Sequence, residues 1–354
     1  MRIARPLLVL AGIVSAIAST SAGAKTRWEC PEGFEPKAGL NKDFVVDGKK
    51  RAFVVVPPEG QTGAAPVWVP MVGTVEATNW NLNVMRSGNN AKLAQSGFMV
   101  IAPIRDCANQ DPALAAGPCN GPGRNGWNWN PWNDGRQGGP AGDKWKTDAG
   151  SDARFFQAMI RCVGTKWKLD DKRFYLGGIS AGGTMTNRAL LFGSDFWAGG
   201  MPLSGEWYTS RDDGTAYTFN EGREAVAANP TKIFQGRVGP YPLPAKLDPM
   251  VVITMWGGEK DLWDCGPPIG LCADYRPSTQ AGSNYFSAQP NVVHVACTGG
   301  HGHMWPQVNT DAFNLWALRT MASHPKGSKP SSFKLTAPPE GYKCQLGRFT
   351  ENYK

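Results

Sequence analysis

Histidine is scarce in this chain: four occur in 354 residues. A proton shuttle built on imidazole must therefore use His294, His301, His303 or His324. Beyond residue 24 no stretch stays apolar for the roughly 20 residues a membrane helix needs, so no membrane association is expected once the first segment is removed. No basic run reaches five residues and no nucleic-acid motif is present, which argues against nucleic acid as a partner. The cysteines lack the paired short Cys/His spacings of a zinc site, so no metal is expected, and no cofactor either. No internal repeat or interdomain linker divides the chain.

What is present begins with a leader. Arg2 and Arg5 precede an apolar run from Leu7 to Ala18, and Ala22-Gly23-Ala24 supplies a small-residue cleavage site. Residues 1–24 thus read as a signal peptide, and no Cys follows directly to carry a lipid. Residues 25–354 are expected to form one domain, secreted or periplasmic. Losing Arg2 and Arg5 leaves 35 basic against 29 acidic side chains, a net charge of +6 in place of +8. That excess favours anionic partners without identifying one. Eight cysteines in an exported chain imply four disulfides, whose pairing spacing alone does not fix. Cys265 and Cys272 flank Gly-Pro-Pro-Ile-Gly-Leu, Cys107 and Cys119 bracket a Gly/Pro/Ala loop, and Cys30 and Cys344 could staple the mature ends.

Apolar, β-branched runs alternate with helical patterns. Arg51–Val56, Pro66–Val72, Phe98–Ile104, Arg173–Ile179, Met250–Trp256 and Asn291–Cys297 read as strands. Asp152–Val163, Thr184–Phe192 and Asp311–Met321 read as helices, with Asn309 or Thr310 as a cap for the last. This alternation predicts an α/β fold, a mainly parallel sheet with helices on both faces. Two stretches break the rhythm, Cys107–Lys146 and Glu206–Asp248. Loops of that length usually serve as lids or binding walls. The tail over 324–354 reads as a surface strap.

Gly178-Ile179-Ser180-Ala181-Gly182 matches the G-x-S-x-G nucleophile elbow. With 43 glycines in 354 residues, chance alone yields about 0.3 such matches, so context decides. An apolar strand leads into Ser180 and a helix follows, the setting the motif requires. Ser180 is therefore the candidate nucleophile. His303, in Gly299-Gly300-His301-Gly302-His303-Met304-Trp305-Pro306 after the last strand, is the candidate base, with His301 the alternative. Asp261, after the strand ending at Trp256, is the candidate acid, with Glu259 and Asp264 as alternatives. His294 lies within an apolar strand and reads as structural; His324 sits apart from any site. The order Ser, Asp, His is that of the α/β-hydrolase fold. The oxyanion donors are expected to be the Ala181 N–H and a group in the loop after an early strand, for which Thr74 is the candidate.

Over roughly Arg51 to Met321 the chain resembles the esterase/polyhydroxybutyrate depolymerase family, feruloyl-esterase-like enzymes included. The resemblance rests on Trp127-Asn128-Trp129, Leu169-Asp170 with Arg173-Phe174-Tyr175, Gly178 to Gly183, and Gly302-His303-Met304-Trp305-Pro306. It implies acyl transfer through a covalent Ser180 intermediate. Where that family carries a His-Gly pair in the oxyanion loop, this chain has Val72-Gly73.

The expected reaction is hydrolysis of carboxylic esters in a polymer or its oligomers, with a polyhydroxybutyrate-like polyester first. The alternatives are a polyanion such as poly(aspartic acid), suggested by the basic excess, feruloyl or acetyl esters of plant polysaccharide, and a catalytically dead, Trp-lined polymer-binding protein. Trp127, Trp129 and Trp132 alternate with Asn in a glycine-rich loop and are candidate substrate contacts, with Trp305, His301 and Arg105. Arg124 and Arg136 lie in the same region.

Overall fold

Period-two alternation in the strands sets the architecture. In the strand Met250–Trp256, Met250 and Val252 join one apolar cluster while Val251, Ile253 and Met255 join another. A strand buried on both faces needs a covering layer on each side, and the chain supplies both. The computed structural model describes residues 27–60, 62–73, 93–104, 151–205, 207, 243–263, 273–303 and 310–350.

Among these residues, nine strands form one mixed sheet. They are β1 (Gly39–Val46), β2 (Lys49–Val56), β3 (Ala65–Met71), β4 (Met99–Pro103), β5 (Leu169–Ile179), β6 (Gly199–Leu203), β7 (Met250–Trp256), β10 (Val292–Gly299) and β11 (Tyr342–Leu346), in spatial order β1-β2-β4-β3-β5-β6-β7-β10-β11. From β4 to β10 neighbours run parallel; β1, β2 and β11 are antiparallel additions at the two edges. Two-residue strands β8 (Leu262–Trp263) and β9 (Ala273–Asp274) pair separately.

Helices α1 (Ser151–Val163), α2 (Ala181–Phe192) and α3 (Tyr275–Ala288) cover one face; α4 (Thr310–Ala322) covers the other. The stripe read from sequence on α1 is what packs: Phe155, Phe156, Met159, Ile160 and Val163 are fully buried. Each such side chain contributes about 1.5–3 kcal/mol by leaving water. Together the described elements form the α/β-hydrolase arrangement expected from the sequence.

The strand and helix readings hold with small shifts at their ends, and Met250–Trp256 holds unchanged. β1, β6, β8, β9, β11 and α3 were not among them. The tail is more than a strap over the surface, since β11 pairs with β10 in register, Cys297 opposite Cys344. Those two cysteines form a disulfide, and Cys30 bonds to Cys162. The suggested Cys30–Cys344 staple is therefore wrong. Cys30 packs with the cluster under α1 and Cys344 with the cluster under α4, so the sheet lies between them. Cys107, Cys119, Cys265 and Cys272 lie outside the described residues, as do residues 1–26, 107–146 and most of 206–248.

Candidate active site

The elbow is built from close approaches that side chains would forbid. Ser180 alone joins β5 to α2, with φ 56° and ψ −122°, a conformation that stores of order 1–3 kcal/mol of strain in a non-glycine residue. Two backbone bonds hold it: the Ser180 N–H donates to the Leu203 carbonyl at 3.0 Å, and the Thr184 N–H to the Ser180 carbonyl at 2.9 Å. A Cβ on Gly178 would stand 2.3 Å from the Met71 carbonyl oxygen, one on Gly182 2.4 Å from the same oxygen, and one on Gly183 2.4 Å from the Leu203 carbonyl. All three glycines thus let α2 seat against the ends of β3 and β6. The Ala181 N–H belongs to the first turn of α2, where amides lack intrahelical acceptors and the helix field favours an anion. Thr74 lies outside the described residues. The end of β3 that leads to it does press on the elbow, with the Val72 carbonyl 2.9 Å from a Cβ on Gly182.

Asp261 follows β7 on a tight turn, its N–H donating to the Gly258 carbonyl at 2.8 Å. Its carboxylate is fully buried, which is costly unless hydrogen bonds replace water. Three do so. Oδ1 accepts from His303 Nδ1 at 2.8 Å, while Oδ2 accepts from Ser204 Oγ at 2.6 Å and the Gly257 N–H at 2.8 Å. Of the alternative acids, Glu259 is exposed and faces Arg276 at 3.5 Å, and Asp264 lies outside the described residues.

The His303 side chain is 8% exposed and stacks on Tyr275, ring centroids 3.9 Å apart and planes within 10°. With Nδ1 committed to Asp261, Nε2 is the nitrogen left for proton transfer. The histidine loop is tied to the aspartate turn by the Gly302 N–H, which donates to the Gly257 carbonyl at 2.9 Å. His301 turns elsewhere: its Nδ1 donates to the Gly302 carbonyl at 2.8 Å, and its ring lies 6.2 Å from that of Tyr342. His294 is the structural histidine the sequence suggested, buried between Thr254, Ser287 and Gly347. Burial pushes it down to about 4. His324 packs edge-on against Phe333.

Ser180, Asp261 and His303 follow β5, β7 and β10, all at the carboxyl edge of one parallel run. Ser204, after β6, links them: its N–H donates to the Met255 carbonyl at 2.9 Å and its hydroxyl to Asp261. Sequence reading missed Ser204 and Tyr275. Ser204 follows Gly-Gly-Met-Pro-Leu, whose glycines and proline hide a strand, and Tyr275 opens a helix with Pro277 in its first turn. Trp127, Trp129, Trp132, Trp305 and Arg105 lie outside the described residues. Such an arrangement can activate a serine, bind an oxyanion at a helix N-terminus and pass a proton to a leaving group.

No protein-family model matches the chain. An oxidized polyvinyl alcohol hydrolase of Sphingopyxis sp. (strain 113P3) is 73% identical over 356 residues, covering all of this chain and 98% of that protein. Another from Pseudomonas sp. is 66% identical over 330 residues, covering 92% of this chain and 87% of that protein. The crystal structure of native sOPH superposes with a TM-score of 0.79 at 76% identity, covering 92% of this chain and 99% of that one. These relatives overturn the assignment to the polyhydroxybutyrate depolymerase and feruloyl-esterase family. With it go the polyester first choice and carboxylic-ester polymers as substrate. The elbow and the histidine loop report the triad, which many hydrolases share; they do not report the bond that is cut.

Proposed function

Because the chain belongs to the oxidized polyvinyl alcohol hydrolase family and is a serine hydrolase, we propose that it cleaves the carbon–carbon bond between the carbonyls of a 1,3-diketone in oxidised polyvinyl alcohol. Full-length identity of 73% to a hydrolase of that polymer carries the reading. The polymer bears a hydroxyl on alternate backbone carbons, so oxidation of two neighbouring hydroxyls leaves two carbonyls separated by one CH2.

In this mechanism Ser180 Oγ attacks one carbonyl carbon and gives its proton to His303 Nε2. Ala181 N–H receives the oxyanion. Collapse of the tetrahedral adduct breaks the bond from the attacked carbon to the CH2. The bonding pair passes into an enolate of the second ketone, and the His303 imidazolium protonates that carbon to give a methyl ketone. Water, deprotonated by His303, then attacks the acyl-serine, releasing a carboxylic acid and restoring Ser180. Diketone and water become one methyl ketone and one acid. Asp261 stabilises His303 while it is charged. A carbon leaving group departs only as a delocalised enolate, so an isolated ketone is not a substrate.

The test follows carbonyl and methyl signals by carbon NMR while the enzyme acts on oxidised polyvinyl alcohol. Methyl ketone and carboxylate are expected in equal amounts, with all turnover lost in Ser180→Ala and in His303→Ala. An intact polymer, or full turnover by Ser180→Ala, overturns the reading. Export also belongs to this proposal. Cys30–Cys162 and Cys297–Cys344 are disulfides, which persist in oxidising compartments, and that supports a periplasmic or secreted enzyme.

A further inference from the structure

Asp261 must do two things in a dry site: stay ionised, and hold one oxygen in line with His303 Nδ1. We infer that Ser204 is a positioning residue for this reaction, its hydroxyl fixing the rotation and charge of the Asp261 carboxylate through Oδ2 while Oδ1 serves His303. This inference rests on the triad reading above.

Three observations support it. The Ser204 hydroxyl reaches Oδ2 at 2.6 Å, and both residues are fully buried, so water does not substitute for the bond. Ser204 adopts φ 43°, a left-handed conformation that β-branched residues avoid and glycine would adopt freely; serine there supplies a donor that glycine lacks. Its backbone is also anchored, the Ser204 N–H donating to the Met255 carbonyl while the Leu203 carbonyl accepts from the Ser180 N–H. One short segment thereby sets both the nucleophile's turn and the acid's second oxygen. The Gly257 N–H is the other donor to Oδ2. Without the hydroxyl, Oδ2 keeps one donor, the carboxylate gains freedom to rotate, and its negative charge concentrates on fewer bonds. A more basic carboxylate holds the imidazolium more tightly, so His303 should keep its proton to higher pH. Among the described residues, Glu259, Lys260, Arg276, His301 and Tyr275 are the other charged or titratable groups around this turn, Tyr275 stacked on His303 and His301 beside Gly257. Glu259 and Arg276 face one another at the surface, and Lys260 is exposed.

Ser204→Ala and Ser204→Gly separate the hydroxyl from the backbone. A hydrogen bond to a charged group contributes about 1.5–3 kcal/mol, roughly a ten- to hundredfold rate effect. Both variants should therefore lose about ten- to hundredfold in kcat on a soluble 1,3-diketone with little change in KM. Both should also show the acid limb of kcat/KM moved to higher pH. Thermal melts confirm that each variant is folded. If Ser204→Gly keeps wild-type kcat while Ser204→Ala does not, the backbone matters and the hydroxyl does not, and the inference fails. It fails equally if both lose rate with an unmoved acid limb, or if both match wild type. Ser180→Ala and His303→Ala are run beside them: turnover by either refutes the triad itself, whereas inactive triad variants with a normal Ser204→Ala refute only the role of Ser204.

Discussion

Replacing His294 should flatten the acid side of the stability curve. The ring is buried in β10, stacked near Phe286 with centroids 6.4 Å apart. Its Nδ1 lies 2.8 Å from the Gly347 carbonyl, which can only accept, so Nδ1 carries the proton; Nε2 is then free to accept from the Thr254 hydroxyl at 2.9 Å. Ser287 Oγ sits 2.9 Å from Nδ1 and gives its own proton to the Ser283 carbonyl. These partners specify a neutral ring. Burial pushes His294 down to about 4, with the Gly347 bond partly opposing. In the unfolded chain the same imidazole titrates near 6.5. Between those values the unfolded state holds the extra proton, so stability falls as pH falls. The contribution is complete above pH 6.5, declines by about 1.4 kcal/mol per unit on the way to pH 4, and amounts to about 3 kcal/mol across that window. Urea unfolding of wild type and His294→Leu at half-unit steps from pH 4 to 8 measures it. The variant should be weaker at pH 7.5, because Thr254 and Gly347 lose the ring. The gap should close by about 3 kcal/mol towards pH 4. Parallel curves would show that the ring takes up its proton in the folded chain as it does in the unfolded one, and would refute the reasoning.

Gly178→Ala should lower the melting temperature by several degrees and cut kcat at least tenfold, because the new methyl would stand 2.3 Å from the Met71 carbonyl oxygen and force β3 away from the elbow; a variant with normal melting and rate would refute the close approach. Tyr275→Leu keeps bulk beside His303 but removes the parallel ring at 3.9 Å. A stacked pair contributes about 0.5–1.5 kcal/mol, so kcat should drop roughly two- to tenfold with KM unchanged, and a KM effect alone would place Tyr275 against substrate instead.

Where local pattern and tertiary need agreed, the fold was legible. Met250–Trp256 is a nearly unbroken apolar run because both its faces are covered, and Asp248-Pro249 before it and Gly257-Gly258 after it mark its ends sharply. The stripe on α1 shows its burial directly in the spacing of Phe155, Met159 and Val163. β6 was hidden because Gly199 and Gly200 are selected for space: a Cβ on Gly199 would stand 2.3 Å from the Val251 carbonyl oxygen, and one on Gly200 3.0 Å from Leu190. Close packing there overrides strand propensity. α3 was hidden by Pro277, which the first turn of a helix tolerates because its missing N–H would have had no acceptor. β11 was missed although Tyr342, Cys344 and Leu346 alternate with Lys343 and Gln345, because five residues at a sheet edge make a short signal. The disulfide guess failed for a topological reason, since nearness of Cys30 and Cys344 to the chain ends says nothing about which side of the sheet each occupies.

The site was legible in part because a nucleophile elbow is a backbone solution before it is a chemical one. Gly178, Gly182 and Gly183 are forced by contacts under 2.5 Å, and forced glycines leave a motif. Asp261 and His303, which the structure brings together at 2.8 Å, could be paired from sequence because four histidines leave few choices and strand ends leave few acids. Ser204 leaves no such trace, since a serine after a strand looks like any loop residue until the buried carboxylate it serves is located. The substrate was out of reach for a related reason. The proposed attack by Ser180, oxyanion at Ala181 and protonation by His303 would serve an ester and a 1,3-diketone alike. The two differ in what departs, an alkoxide or an enolate, and both leave with a proton from the same imidazole. Selection between them must lie in how the departing segment is held, and Trp127, Trp129, Trp132 and Arg105, which the sequence suggests as substrate contacts, lie outside the described residues. At strand ends geometry constrains the residue type, so the chemistry of attack and proton transfer can be read there before the bond it acts on can be named.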